Sequence, residues 1–224
     1  MRIDPRHPET EALWRAVARA EVRSVAVVSA RPGEGCTTVA EAIWRRAACA
    51  GRSALLVDLN RDRPALGARL GEAPPGTIQR FGNEGLGLLA DPGEAALEAW
   101  RDPAQLRDAV TGWLRQWDTV VLDAAPVVSR GAQGVAGLAA AAAADAALLV
   151  VLAGRTSATA VREAGGALVQ AGARLLGTVL NDRDNPSLRT ELERQTRRIG
   201  RIMPKLADRV AMAVARSNLL GMRV

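Results

Sequence analysis

The chain has 224 residues, of which 48% are hydrophobic and 24% charged, and its formal net charge at pH 7 is +6. This length and composition are typical of one large soluble domain with a sizeable core, and no run of 18 or more apolar residues offers a membrane-spanning helix. With His7 as the single histidine, histidine-based catalysis and multi-histidine metal sites are excluded.

Cysteine content and charge indicate the compartment and leave the partner open. The two cysteines, Cys36 and Cys49, do not form a disulfide framework, and the first eight residues lack the apolar core of a signal peptide. We therefore expect a cytoplasmic protein. The basic residues are nearly all arginine. They reflect either the base composition of the genome, since the chain is also rich in alanine, or an acidic partner such as nucleic acid, anionic lipid or an acidic protein tail.

Apolar runs with strand character alternate along the chain with segments of helical periodicity. The predicted strands are residues 24–30, 53–58, 86–90, 119–123, 146–152 and 175–180. The predicted helices between them are residues 37–50, 102–117 and the six-alanine run 139–144. Continuous apolar strands separated by helices are typical of a mostly parallel sheet covered on both faces, so we predict a three-layer α/β domain.

The remaining segments set the predicted domain boundaries. Residues 1–22, with a helix around residues 11–15, form an N-terminal segment that is a candidate for contacts between subunits. Residues 23–224 form a single domain, in which residues 71–85, with the turn Pro74-Pro75-Gly76, are expected to be a surface loop. Cys49, at the end of an amphipathic helical pattern, is expected in the core.

Two polar-faced helices are predicted beyond Asn181, at residues 186–199 and 204–216. The second carries apolar residues at four-residue spacing, so it either docks on its own domain or a neighbouring subunit, or lies on a membrane surface as a basic amphipathic helix. The arginines within residues 189–201 are diluted by Glu191 and Glu193, which favours a solvated helix face. A nucleic-acid partner is therefore not expected.

A glycine-rich turn follows the first predicted strand and opens the first predicted helix of the domain. Gly33 and Gly35 let backbone N–H groups approach phosphate oxygens, and the helix that follows points its positive end at them. The hydroxyl of Thr37 stands where it would bind Mg²⁺. The residues predicted to contact nucleotide phosphates are Gly33, Glu34, Gly35, Cys36, Thr37 and Thr38.

Two carboxylates are predicted at the same edge of the sheet as this turn. Asp58 ends the second predicted strand, with Asn60 two residues on, and Asp123 ends the fourth. Because carboxyl ends of parallel strands meet at one edge, Thr37, Asp58 and Asp123 are the predicted ligands of magnesium. If the site is catalytic, Asp58 and Asp123 are the residues expected to act.

Taken in this order, the three motifs resemble the deviant phosphate-loop ATPases, a group that includes the cell-division and chromosome-partition ATPases. Within that group the chain resembles most the bacterial tyrosine autokinases of capsule and exopolysaccharide synthesis, from about Val25 to Asn181. Leu55-Leu-Val-Asp-Leu-Asn-Arg-Asp-Arg-Pro64 is similar to the second acidic motif of that family, and Trp117-Asp-Thr-Val-Val-Leu-Asp-Ala-Ala-Pro-Val127 to the third. The resemblance implies binding of ATP or ADP with magnesium and places Asn181 where these ATPases often contact the base.

The departures from the family pattern are as informative as the matches. Cys36 stands where the family has the loop lysine, and the single lysine of the chain is Lys205. Asn60 replaces the second aspartate of the second motif, and Asp62 stands where a basic residue is usual. These 224 residues contain no tyrosine, so tyrosine autophosphorylation is not expected.

Cys36 has two interpretations: a small residue tolerated after loss of the lysine, or a reactive thiol whose pKa is lowered at a helix N-terminus. A lysine at the phosphates contributes roughly 1.5–3 kcal/mol to binding and stabilises the charge that develops during transfer. Arg31, Arg61 and Arg63 are candidates to replace it. We therefore expect weak or lost nucleotide binding and weak or absent ATP turnover.

The resemblance implies the leading hypothesis, a degenerate autokinase relative that serves as a regulatory or scaffolding partner of a membrane polysaccharide co-polymerase in exopolysaccharide or capsule synthesis and export. It implies a homo-oligomer with peripheral contact to the inner membrane. The alternative is a working ATPase that dimerises with ATP and binds a membrane surface or DNA.

Overall fold

The structure, a computed structural model, describes residues 4–60, 65–81, 85–127, 135 and 137–183. The described residues form seven strands, β1 Ser24–Ser29, β2 Ala54–Asp58, β3 Gln79–Phe81, β4 Leu86–Leu89, β5 Thr119–Asp123, β6 Ala146–Leu152 and β7 Leu175–Asn181. They also form seven helices, α1 Pro8–Arg19, α2 Cys36–Cys49, α3 Leu66–Leu70, α4 Glu94–Ala99, α5 Pro103–Trp113, α6 Gly137–Ala143 and α7 Ala158–Gln170.

Several predictions concern residues outside this set. They are the two helices beyond Asn181, the arginines within residues 189–201, and Arg61, Asp62 and Arg63 of the second motif. The chain divides into two compact units, one of residues 1–151 and 156–181, the other of residues 152–155 and 182–224. In the second unit the structure describes residues 152–155, 182 and 183.

The seven strands form one mostly parallel sheet in the order β3-β4-β2-β5-β1-β6-β7. The central strand β1 pairs in parallel with β5 and β6, and β2 pairs in parallel with β4 and β5. Asp123 at the end of β5 lies in register with Asp58 on one side and Val27 on the other. The predicted α/β architecture is confirmed, and the two acidic side chains come together at one sheet edge.

Alternate residues of the buried strands face two separate apolar clusters. Ala26 and Val28 of β1 face the side covered by α5, α6 and α7, whereas Val25 and Val27 face the side covered by α1 and α2. The side chains of the helices that fill the two clusters include Leu106, Val110, Ala140, Ala164 and Leu168 on the first side and Trp14, Val17, Val39, Ile43 and Trp44 on the second. Burial on both faces explains why the strands are apolar throughout.

The polyalanine helix was predicted correctly, and the structure shows why small residues are needed there. Helix α6 is almost wholly buried, with Ala140 and Ala141 fully enclosed. At its first residue, Gly137, an added Cβ would lie 2.4 Å from the carbonyl oxygen of Ala125. Larger side chains would push this helix off the sheet.

Two local predictions are wrong. Part of the expected loop 71–85 is strand β3, which pairs antiparallel with β4, Gln79 opposite Leu88. Its three residues show no usable alternation, so its strand character comes from the partner strand alone. Cys49, expected in the core, is exposed, since it ends α2 beyond the part of that helix that faces the sheet.

The N-terminal helix α1 packs on α2. His7 caps α1 by accepting a hydrogen bond from the backbone N–H of Glu9, and Glu11 forms an ion pair with Arg46 of α2 at 2.7 Å. Trp14 and Val17 are buried in the cluster beneath it. The role of residues 1–22 in oligomer formation stays a prediction.

In the part of the chain with described structure, none of the helices is both long enough and apolar enough to cross a bilayer.

Candidate phosphate-binding site

The turn between β1 and α2 has the backbone shape that a phosphate loop requires. Gly33 and Gly35 adopt positive φ angles of 84° and 103°, which favour glycine. Gly35 caps α2 without a side-chain acceptor for the first turn of the helix. The first turn of a 14-residue helix therefore presents backbone N–H groups and a positive dipole end to an anion.

Glu34 lies inside this turn and is 3% exposed. Its Oε2 accepts a hydrogen bond from the backbone N–H of Arg31 at 3.1 Å, and its Oε1 accepts one from the hydroxyl of Thr156. The side-chain amide of Asn181, at the end of β7, donates to the carbonyl oxygen of Glu34 at 2.8 Å. Asn181, predicted to contact a base, thus contacts the loop itself in this structure.

Asp123 is fully buried, and neither of its carboxylate oxygens receives a hydrogen bond of normal geometry. Burial raises the pKa of Asp123 to about 8, and the nearby charge of Asp58 raises it too. The hydroxyl of Thr37 and the charge of Arg69 act in the opposite direction. A buried carboxylate without partners is the kind of group that a cation would satisfy.

Asp58 is also buried, but its hydrogen-bond partners differ from those of Asp123. Its Oδ1 accepts from the N–H of Asn60 at 3.0 Å, and its Oδ2 accepts from the N–H groups of Ala65 and Leu66 at 3.3 Å. Burial raises its pKa to about 6, and these three hydrogen bonds lower it. Asp58 therefore shapes the start of α3, which the sequence pattern did not reveal.

Cys36 is the first residue of α2 and is 8% exposed. Burial raises the pKa of its thiol well above the usual range, the charges of Asp123 and Glu34 add to this, and contact with the Ser29 hydroxyl opposes it. The thiol is therefore neutral at physiological pH. This direction is the opposite of the lowered pKa that a reactive thiol at a helix N-terminus requires.

Arg69 of α3 is a site residue that the sequence analysis missed. Its guanidinium lies 2.6 Å from Glu41 of α2, which also pairs with Arg45 at 3.0 Å. The charge of Arg69 acts on Asp123 and lowers the pKa of that carboxyl, although burial and Asp58 raise it by more. No motif or spacing marks Arg69, since a five-residue helix brings it to the site.

Arg31, a predicted substitute for the lysine, is exposed.

A cavity of about 620 Å³ adjoins the acidic side of the site. Asp58 and Asn60 form part of its wall, and the other carboxylates that line it are Glu72, Asp91 and Glu94. The cavity therefore lies beyond the ends of β2 and β4 and is acidic. It continues the edge of the sheet where Asp58 lies.

The residues fit a magnesium–phosphate group in part. The unpartnered carboxylate of Asp123, the hydroxyl of Thr37 and the uncapped start of α2 are the donors and acceptors that such a group needs. The position of the loop lysine offers only a neutral thiol. The described residues thus offer candidate contacts for a metal and for phosphate oxygens, and the residue at the position of the loop lysine carries no positive charge.

No protein-family model matches the chain, and no curated protein sequence matches it. Solved structures do. The kinase domain of VpsO is 25% identical, with 77% of this chain and 91% of that chain covered and a TM-score of 0.67. The kinase domain of the Escherichia coli tyrosine kinase Etk is 21% identical, with 77% and 72% covered and a TM-score of 0.62.

A third similar structure is the septum site-determining protein MinD from Pyrococcus horikoshii, solved in complex with Mg-ADP. It is 22% identical, with 73% of this chain and 72% of that chain covered and a TM-score of 0.59. These three similar structures are a kinase domain, the kinase domain of a tyrosine kinase and a MinD protein. This confirms the resemblance predicted from the three motifs, within the deviant phosphate-loop ATPases.

Proposed function

We propose that this chain is a degenerate relative of the bacterial tyrosine kinase domains that acts by contact and not by phosphoryl transfer. The observation that carries the proposal is the environment of Cys36. A buried, neutral thiol occupies the position of the loop lysine, and the charge of Asp123 is one of the causes that raise the pKa of this thiol. The thiol supplies no positive charge at neutral pH, where a working site holds a lysine ammonium at the phosphates.

Nucleotide binding would depend on the backbone N–H groups of the loop and on the two candidate magnesium ligands. The N–H groups at the start of α2 and the loop backbone around Gly33 and Gly35 would hold phosphate oxygens. Thr37 and Asp123 would hold magnesium, which when bound supplies positive charge at the phosphates. We propose that ATP and ADP bind with magnesium, but weakly.

Phosphoryl transfer requires electrostatic stabilisation of the transition state in addition to nucleotide binding. The reaction offers little covalent chemistry to the protein, so positioning and electrostatic stabilisation supply nearly all of the catalysis. A thiol is a weak donor and carries no positive charge. With no tyrosine in these 224 residues, the chain also has no tyrosine to receive a phosphoryl group from itself.

The biological setting rests on the family resemblance, supported by the kinase-domain neighbours. In that setting the chain would be a regulatory or scaffolding partner of a membrane polysaccharide co-polymerase in exopolysaccharide or capsule synthesis and export. It would be a cytoplasmic homo-oligomer at the inner membrane. Neighbouring genes for glycosyltransferases and an outer-membrane exporter would support this part of the proposal.

The test is calorimetric titration with Mg-ADP and Mg-ATP of the wild type and a Cys36→Lys variant, with Cys49→Lys as the matched control. Cys49 is exposed at the other end of α2, so its replacement makes the same chemical change outside the site. We expect Cys36→Lys to tighten binding by about tenfold or more, and Cys49→Lys to leave it unchanged.

Phosphate release is measured in the same three proteins and in Asp123→Ala. We expect the wild type to match the Asp123→Ala background. Wild-type hydrolysis well above that background, and equal to that of Cys36→Lys, would contradict the proposal.

The environment of Arg69 favours a second candidate, a working ATPase that dimerises with ATP. Glu41 is paired with both Arg69 and Arg45, so Arg45 would continue to neutralise it if Arg69 turned toward the phosphates. This function predicts phosphate release that Arg69→Ala abolishes and Arg45→Ala does not.

A further inference from the structure

The phosphate loop needs something to hold its shape. Two residues with left-handed backbone conformation, Gly33 and Gly35, lie in a turn where glycine has more conformational freedom to lose than any other residue. The helix that follows has no side-chain cap, and Cys36 stands at the position of the loop lysine. Other contacts must therefore stabilise the backbone conformation of the loop.

Glu34 provides contacts that reach outward from the middle of this turn. Its side chain is almost fully buried and uses both oxygens, one for the backbone N–H of Arg31 and one for the hydroxyl of Thr156. Thr156 comes directly before Ser157, the cap of α7. The side chain thus joins the loop to itself and to the start of a helix 122 positions further along the chain.

The main chain at the same residue makes a third contact. Its carbonyl oxygen accepts a hydrogen bond from the amide of Asn181 at 2.8 Å. This approach is possible because the next residue is Gly35, where an added Cβ would lie 2.4 Å from the Asn181 side-chain nitrogen. Three separate parts of the chain therefore meet at Glu34.

We propose that Glu34 is a positioning residue, which holds the phosphate loop in the backbone conformation that binds an anion. Its carboxylate does so through Arg31 and Thr156, and its carbonyl oxygen through Asn181. A side-chain carboxylate in this turn adds negative charge beside a phosphate site, so a phosphate contact at Glu34 would be made by its backbone N–H. The geometry of the carboxylate, with each oxygen directed at a donor of the protein, accounts for its presence. The proposal rests on the proposed function, since the loop is taken to bind the phosphates of a nucleotide.

The first measurement needs no ligand: hydrogen exchange of the amides of residues 31–37, followed by mass spectrometry. We expect Glu34→Ala to speed exchange there by about tenfold or more, with the central strands unchanged. Glu34→Gln is expected to restore much of the protection, since its carbonyl oxygen accepts from Arg31 and its amide donates to the hydroxyl of Thr156. Glu163→Gln, on the exposed face of α7, removes the same charge and is the matched control.

Titration with Mg-ADP is the second measurement. We expect affinity to fall about tenfold or more in Glu34→Ala, to recover largely in Glu34→Gln, and to stay at the wild-type value in Glu163→Gln. If Glu34→Ala does not fold, Thr156→Val, which removes one hydroxyl at similar volume, is expected to show the same local loss of protection. Unchanged exchange at residues 31–37 in the variant that folds overturns the proposal.

The two proposals fail in different ways. If the wild type does not bind Mg-ADP while Glu34→Ala still loosens the loop, nucleotide binding is refuted and the positioning role stands. If Glu34→Ala exchanges and binds like the wild type, the positioning role is refuted and nucleotide binding stands.

Discussion

An aspartate ends both β2 and β5, and the two residues lie in register, yet their hydrogen bonds differ. Asp58 accepts three backbone hydrogen bonds from residues that follow it, whereas Asp123 accepts none of normal geometry. Both are buried, and the pKa rises to about 6 in Asp58 and to about 8 in Asp123. The larger shift belongs to the carboxyl whose hydrogen bonds are missing.

The difference separates an acid whose oxygens accept hydrogen bonds from the protein from one that, as we propose, a cation would satisfy. Asp58 stabilises the chain around it, because its oxygens satisfy amides at the start of α3. Asp123 destabilises the ligand-free protein, because the influence of the Thr37 hydroxyl and the Arg69 charge does not make up for the hydration that its carboxylate loses on burial. Sites that bind ligands commonly retain such unfavourable groups.

The sharpest test of this difference is Asp123→Asn in the ligand-free protein. The pKa of Asp123 is raised from 3.8 to about 8 on folding, so the folded protein holds a proton that the unfolded chain releases. Stability from this group is full below the unfolded pKa and is lost as pH rises toward 8. Asp123→Asn removes that loss but leaves a buried amide without good hydrogen bonds, so we expect a net gain on the order of 3 kcal/mol at pH 8.5.

Urea unfolding at pH 5 and pH 8.5 measures this, and the gain is expected to shrink at the lower pH. An Asp123→Asn variant less stable than the wild type at both values would show that the carboxyl has a protein partner after all.

Asp58→Asn makes the same chemical change on the neighbouring strand and is expected to act in the opposite direction. Its NH₂ group cannot accept from the backbone N–H groups of Ala65 and Leu66, which leaves buried donors unpaired. We expect a loss of about 1–3 kcal/mol at pH 5, measured by the same urea unfolding. The loss should be smaller at pH 7.5, because the pKa of Asp58 is raised to about 6 and its ionised form costs stability above that pH. The contrast between the two acids fails if both variants shift stability in one direction.

Binding of Mg-ADP is expected to depend on pH through Asp123. The metal needs the ionised carboxylate, and the pKa of Asp123 is about 8, so binding must release a proton at neutral pH. We expect affinity to rise with pH, by at most about tenfold per unit, and to level off above pH 8. Calorimetry in two buffers of different ionisation enthalpy measures the released proton, which should be absent in Asp123→Asn.

Local patterns in the sequence were sufficient to place these acids. The positions of Asp58 and Asp123 at strand ends follow from apolar runs that stop at a carboxylate, and the glycine-rich turn marks the loop. Contacts between distant segments could not be predicted. Glu34 meets Thr156 across 122 positions, β3 becomes a strand only by pairing with β4, and nothing near Arg69 indicates that α3 brings it to Asp123.

The two cysteines at opposite ends of α2 are expected to differ in their reaction rates with a thiol reagent, which is the smallest of the expected effects. The incorrect prediction for Cys49 followed from helical periodicity, which cannot tell the last turn of a helix from its buried middle. Cys36 is buried and its thiol pKa is raised, so a thiol reagent should modify Cys49 first and Cys36 more than about tenfold more slowly. A Cys49→Ser variant should lose the fast phase alone. A fast phase that survives in Cys49→Ser would mean that the thiol beside Asp123 is open to solvent, and the neutral, enclosed environment on which the contact role depends would be wrong.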